Sequence, residues 1–262
     1  MRRDYPILEF DAAPKAIIEP TQLIEPADAP EHCVICFFQE VISKLQQDQA
    51  LGIIFEDRWE DAVHRFYELK VDGRRLALFH PGVGGPIAAG MLEEAIALGC
   101  RKFIACGGAG VLDRDPALSS VGGVPVGHII VPRSAVRDEG TSYHYLPPGR
   151  EVEASPEGIA AIERVLQKHG IAYLVSKTWT TDAPYRETPA KVALRRSEGC
   201  LTVEMEAAAF FAVARFRGVS CAQMLYAGDD VSGQEWDHRD WANQTTIRER
   251  MFWLAAEACL AL

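Results

Sequence analysis

Two rhythms of apolar residues run along this chain. Cys33 to Phe37, Lys102 to Cys106 and Val219 to Ala227 are near-continuous apolar runs, the mark of strands buried on both faces. Leu51–Phe55, Arg65–Val71, Arg75–His80, Val126–Val131, Ala172–Thr178 and Leu201–Val203 read as further strands, and Asp72-Gly73 as a hairpin turn. Helical spacing appears in Glu40–Gln47, with Val41, Ile42 and Leu45, and in Ile87–Leu98, with Ala88, Met91, Leu92, Ala95 and Leu98 on one stripe. Pro86 suits that second helix's first turn and Gly99 its end. Ser155-Pro156 and Thr188-Pro189 mark the starts of helices reaching Lys168 and Glu198. Ala207–Arg217 is an Ala/Phe helix stopped by Gly218, and Asp240–Leu262 closes the chain as an amphipathic helix. Strand, glycine turn, helix, strand is the grammar of an α/β sheet that takes ligands at strand ends. No G-x-G-x-x-G opens a helix after the first strand, so a dinucleotide site fits poorly.

Composition narrows this picture. The 262 residues permit one large domain, with residues 1–31 as a Pro-rich, acidic, extended arm lying on that domain (32–262) or on a partner subunit. The formal net charge is −10 with no Lys/Arg-rich run, which argues against nucleic acid. No apolar run reaches membrane-spanning length and the start lacks a signal-peptide core, so a soluble cytoplasmic protein is expected. Seven cysteines lie mostly in apolar runs. Cys33 and Cys36, three apart in a strand, point to opposite faces, and no second Cys/His pair completes a metal site. Reduced, buried thiols are expected, with neither metal nor cofactor.

Candidate chemistry concentrates at Val203-Glu204-Met205-Glu206-Ala207-Ala208-Ala209, followed by a helix, a strand and Gly228-Asp229-Asp230. Glu204 and Glu206 are too close in sequence to share a helix face. At a helix mouth the macrodipole favours them, and paired carboxylate oxygens suit a vicinal diol. The plainer alternative is one capping acid and one solvated acid.

Those two segments, together with Gly82-Val83-Gly84-Gly85-Pro86 and Gly107-Gly108-Ala109-Gly110, occur in the order and spacing of the nucleoside phosphorylase superfamily, which the chain resembles over roughly residues 33 to 260. The Val203–Ala209 block is most similar to the uridine phosphorylase branch. The resemblance implies a three-layer α/β fold, with a central mixed sheet partly closed into a barrel and flanked by helices. It implies cleavage of a nucleoside N-glycosidic bond, in a homo-oligomer (dimer or hexamer) whose sites are often completed across an interface. Carried over, Glu206 would bind the ribose hydroxyls, with Glu204 in support and Met205 under the sugar. Gly84 and Gly107-Gly108-Ala109 would line the site. Asp229 would act on the departing base, because an oxocarbenium-like transition state needs negative charge near the sugar and a proton or hydrogen bond for the base.

The chain departs from the pattern where phosphorylases hold phosphate. Phe37-Phe38-Gln39-Glu40 replaces G-D-P-x-R, Ala105 stands in the Arg position and Gly108 in the Thr position. A buried dianion without cations is costly. Amides of Gly107–Gly110 forming a nest, or Arg58, Arg137 or Arg186, would have to substitute. The related nucleosidases use water activated by a Glu-Val pair, and Glu40-Val41 falls in that place, which makes Glu40 a candidate base or an ordinary first-turn acid. For the base, Trp179 or Tyr185 are candidates to stack, Asp182 to accept hydrogen bonds, and Thr180 and Arg186 to line the loop, with Arg186 and Glu187 alternatively a surface pair. His144 matches a loop that lends a residue to the sugar side. Hydrolysis is the reading preferred over phosphate-dependent cleavage or a catalytically silent nucleoside-binding protein, so the expected partners are a nucleoside and either water or phosphate.

Overall fold

The computed structural model describes residues 2–25, 27–113 and 124–262. The strands are β1 (His32–Cys36), β2 (Leu51–Arg58), β3 (Val63–Val71), β4 (Arg74–Phe79), β5 (Lys102–Val111), β6 (Ile129–Asp138), β7 (Glu151–Glu153), β8 (Tyr173–Thr181), β9 (Cys200–Glu204) and β10 (Ser220–Asp230). The helices are α1 (Pro20–Leu23), α2 (Gln39–Gln47), α3 (Gly85–Leu98), α4 (Ser142–Tyr145), α5 (Pro156–Lys168), α6 (Pro189–Ser197), α7 (Ala207–Arg217) and α8 (Thr245–Leu260). The Asp72-Gly73 hairpin is present, with both residues at positive φ and Val71 paired to Arg74.

The sheet runs β2-β3-β4-β1-β5 and then closes on itself. β5 pairs β10, β10 pairs β6, β6 pairs β8, β8 pairs β9, and β9 returns to β5. Five strands therefore form a barrel and the others extend it as an open sheet. Helix α7 packs against α3, α4 and the faces of β10 and β6, and Ala207 through Ala214 are all buried, as an apolar run with no polar face requires. Phe210 and Phe211 are its largest buried side chains, each worth roughly 1.5–3 kcal/mol of burial. The arm folds back onto the domain. Its α1 lies against α3, Ile24 is buried, and Glu19 meets Arg217 of α7 at 3.3 Å. All seven cysteines are buried and unpaired, and burial pushes the Cys200 and Cys259 thiols up to about 12. Among the described residues no helix is long and apolar enough to cross a membrane.

The expected glycine loop after Cys106 is instead a continuation of β5 through Val111. One edge of β5 changes partner along its length. β1 occupies it up to Cys106, where Phe37 N–H donates to the Cys106 carbonyl, and β9 takes over at Gly110. Residues 107–109 have no strand on that edge. Backbone groups alternate sides along a strand, so Gly108 turns its N–H and C=O to the gap. It is the one exposed residue of an otherwise buried strand. Its missing side chain has a packing cause: a Cβ there would stand 3.0 Å from the Tyr226 ring, and one at Gly107 3.0 Å from the Phe37 ring. A strand offers no run of convergent amides, so the anion nest considered for Gly107–Gly110 does not form.

Gly108→Ala is expected to overpack against Tyr226 and cost about 1–3 kcal/mol, read as a lower urea midpoint with an unchanged m-value.

Candidate active site

The gap at Gly108 is walled by groups from far-apart segments. On one side the chain leaves β9 through Glu204, Met205 and Glu206 into α7. Glu204 is buried and fully used: Oε2 accepts the Glu206 and Ala207 N–H groups at 2.7 and 2.6 Å, and Oε1 accepts from Thr180 Oγ1 at 2.6 Å. Thr180 Oγ1 in turn accepts the Ala208 N–H at 3.0 Å. Glu204 and Thr180 thus satisfy orphan donors of α7's first turn and hold the turn in place. They are not free to meet a ligand.

Glu206 is differently placed. Its Oε1 accepts the Gly84 N–H at 2.6 Å and its Oε2 the Met205 N–H at 3.3 Å. A carboxylate oxygen has two lone pairs, so each keeps one for a further donor. Gly84 directs its N–H here from φ +98°, a conformation that glycine adopts without strain. The N-termini of α3 and α7 therefore converge on one carboxylate, favouring its charge. Burial and the neighbouring Glu204 charge work the other way and raise the Glu206 carboxyl well above the usual range. Burial also raises Glu204, and its hydrogen bonds from Thr180, Ala207 and Glu206 oppose the rise. A third buried acid, Glu139, lies behind them, accepting from the Ser142 N–H at 2.9 Å and from Ser142 Oγ.

Asp229, half-buried, stands at the other side. Its Oδ2 accepts from Trp236 Nε1 at 2.7 Å, and its Oδ1 would be 3.6 Å from a Cβ at Gly110. Asp230 turns away, buried and ion-paired with Arg239. Facing Asp229 is Glu187, which burial and the Asp229 charge push up to about 7. Glu187 was expected at most as half of a surface pair with Arg186. Nothing in its local sequence marks it, because its burial comes from the approach of β10.

Phe37, Phe38, Glu40, His80 and Tyr226 cluster at a further end of the gap, where the nucleophile is expected. His80 Nδ1 accepts the Gly82 N–H at 3.1 Å, and burial lowers its pKa, which keeps the ring neutral. Ala105 is fully buried. The arginines considered as phosphate ligands are elsewhere. Arg137 is committed to Ser142 Oγ and to the Pro147 and Leu146 carbonyls, while Arg58 and Arg186 are exposed. The cation at this end is Arg248 of α8, whose Nε lies 2.9 Å from Glu40 Oε1. Sequence spacing carried no hint of it.

Other expected base contacts need correction. Trp179 is fully buried, with Nε1 donating to Asp138 Oδ2 at 3.0 Å, so no base can stack on it. Tyr185 is 98% exposed on a short 3-10 turn, Pro184–Arg186. Asp182 Oδ2 accepts the Gly140 N–H at 2.8 Å, and Ala109 is buried among barrel residues. His144 is exposed and, with Tyr145, lines a groove of about 480 Å³ beneath the arm, away from the clamp. Met205 is half-buried beside Glu206, and Thr180 acts through Glu204.

A carboxyl whose pKa is raised by folding binds its proton more tightly in the native state, so its cost to stability grows as pH rises from the ordinary carboxylate range through the raised value. Glu206→Gln is therefore expected to raise Tm by on the order of 2–4 °C at pH 8.5 and to change it little at pH 5, measured by calorimetry at both values.

Comparisons with known proteins address the family and the fold. The sequence profile described as the Phosphorylase superfamily matches residues 31–260. A guanosine phosphorylase of Halorubrum lacusprofundi is 30% identical over 177 residues, 66% of this chain and 68% of that protein. A uridine phosphorylase of Thermococcus kodakarensis is 29% identical over 52% of this chain, and the match spans about half (47%) of that enzyme. Among solved structures, the purine nucleoside phosphorylase of Toxoplasma gondii superposes with a TM-score of 0.73 at 20% identity, over 88% of this chain and 91% of that one. The AMP nucleosidase of Bacteroides thetaiotaomicron gives 0.67 at 20% identity, covering 89% of each chain. These two share the fold, and the profile match across nearly the whole chain establishes the rest: this protein belongs to the phosphorylase superfamily.

Proposed function

We propose that the chain cleaves the N-glycosidic bond of a nucleoside with water as the nucleophile. The observation that carries the reading is the open edge at Gly108, set between a diol-binding carboxylate and a pair of acids. Ionised, Glu206 keeps one free lone pair on each oxygen for the 2′- and 3′-hydroxyls; those donors favour the ionised form against burial, and its charge then lies where an oxocarbenium-like sugar would be positive. Met205 packs beside it. Across the gap, Asp229 and Glu187 face the departing base. Glu187 keeps its proton up to about pH 7, so the pair offers a donor as well as an acceptor to a base leaving with its bonding electrons.

Water is favoured over phosphate by what fills the nucleophile end. The Phe37 and Tyr226 rings occupy the space beside Gly107 and Gly108, and Ala105 offers no charge. Arg248, the cation that the described residues bring to this end, is already opposed by Glu40. A dianion entering here would meet aromatic faces and a carboxylate, a costly exchange for its hydration. Glu40 is then the base that takes the proton of the attacking water.

A second reading, phosphate-dependent cleavage, is favoured by the names of the two curated relatives. Base release from a panel of purine and pyrimidine nucleosides, with and without inorganic phosphate, separates the two. Equal rates with free ribose as product are expected, and release that strictly requires phosphate would overturn hydrolysis and the role of Glu40. If Glu187 must hold a proton for the base to leave, kcat falls as pH rises past about 7. Glu187→Gln should flatten that limb, and Asp229→Asn should lower kcat by about 10²–10⁴-fold, both read from pH–rate profiles.

A further inference from the structure

We propose that Arg248, reaching in from the last helix, is the positioning residue of Glu40 and holds that carboxylate toward the attacking water; this rests on the hydrolytic reading above. Three contacts leave the guanidinium little freedom. Its carbon lies 4.9 Å from the centre of the Phe38 ring, its Nη1 donates to the Ala242 carbonyl at 3.0 Å, and its Nε faces Glu40 Oε1 at 2.9 Å. The Arg248 side chain is 13% exposed against 38% for Glu40. The fixed member of the pair is therefore the arginine, and the carboxylate is the member being held.

The geometry of the pair is that of a charge contact. Glu40 Oε1 and Arg248 Nε are buried and close, but neither makes a formed hydrogen bond. Charge attraction at this separation is strong in a partly buried site and does not consume the lone pairs of the carboxylate. Glu40 can thus be anchored and still accept a proton. Without Arg248, a half-exposed first-turn acid beside the apolar faces of Phe38 and Tyr226 would gain by rotating into water.

Packing links this pair to the gap. Phe38, under the guanidinium, is buried and its ring lies 6.0 Å from that of Tyr226. Tyr226 covers Gly108 and donates from its hydroxyl to the Trp241 carbonyl at 3.0 Å, just before α8 begins. Helix α8 is in turn held on β5 and β1. The carboxylate that faces the nucleophile is therefore set by a helix lying more than two hundred residues further along the chain.

The test uses the full chain with Arg248→Met, Arg248→Lys, Glu40→Gln and the Glu40→Gln/Arg248→Met double variant, each checked for an unchanged melting profile. Arg248→Met is expected to lower kcat for hydrolysis roughly 10- to 100-fold with KM within about twofold, since ground-state binding of the nucleoside is untouched. Arg248→Lys should recover part of the loss. The double variant should be no slower than Glu40→Gln, because Arg248 acts only through Glu40. If Arg248→Met keeps wild-type kcat while Glu40→Gln is impaired, or if it raises KM with kcat unchanged, the proposal is overturned and the hydrolytic reading stands. If Glu40→Gln itself hydrolyses at the wild-type rate, the role of Glu40 as base and this proposal both fall while hydrolysis stands. Should Arg248→Met fold poorly, the Lys variant decides: full wild-type KM with reduced kcat supports positioning, and unchanged kcat overturns it.

Discussion

Two buried carboxylates two residues apart, at the point where two helices begin, are the constraint on which the rest of this structure depends. Left unpaired, either charge would cost several kcal/mol in the interior. Glu204 is satisfied by the first amides of α7 and by Thr180, and that network places the turn from which Glu206 projects. Glu206 is satisfied only in part, by Gly84 at the start of α3 and by its neighbour's amide. A buried acid with two spare acceptors and a raised affinity for protons is stabilised by any further donor brought to it, which is the ground for the sugar-binding role proposed above.

The barrel explains why this pair meets anything. β5 passes from β1 to β9 along one edge, and the interval at 107–109 leaves a backbone edge open inside an otherwise closed sheet. Strand ends at this gap bring the clamp from β9, the acid pair from β10 and the loop after β8, and the nucleophile end from β1, β4 and α8. Asp229 sits on β10 and Glu40 on α2, while Glu206 and Glu187 sit on short connections, so sheet register and the turns at strand ends together position the constellation. The same crowding accounts for the glycines: Tyr226 and Phe37 stand where side chains on Gly108 and Gly107 would be.

Much of the fold was legible along the chain. The buried strands, the Pro-capped helices α5 and α6, the hairpin at Asp72-Gly73 and the apolar helix α7 with Gly218 behind it all follow from periodicity and local turn chemistry. The Glu204-Met205-Glu206 segment was also legible, because carboxylates at a strand-to-helix switch are chemically unusual. The glycine segment after Cys106 was read as a loop, since glycine favours turns locally. Strand pairing with β10 overrode that preference. Trp179 looked like a stacking surface because exposure cannot be read from residue type, and the barrel interior absorbed it.

What the sequence determined by itself is the order of elements and the carboxylate pair at a strand-to-helix switch, because these rest on contacts between residues near in the chain. What only the tertiary structure decided is which groups share the gap. Glu187 became a partner of Asp229 through the approach of β10, and Arg248 became the counter-charge of Glu40 through the docking of α8. Such pairings depend on burial and on charges brought together across long stretches of chain, and neither quantity has a local signature. The carboxylate pair was therefore visible in seven consecutive residues, whereas the ion pair of Glu40 rests on a contact between the second helix and the last.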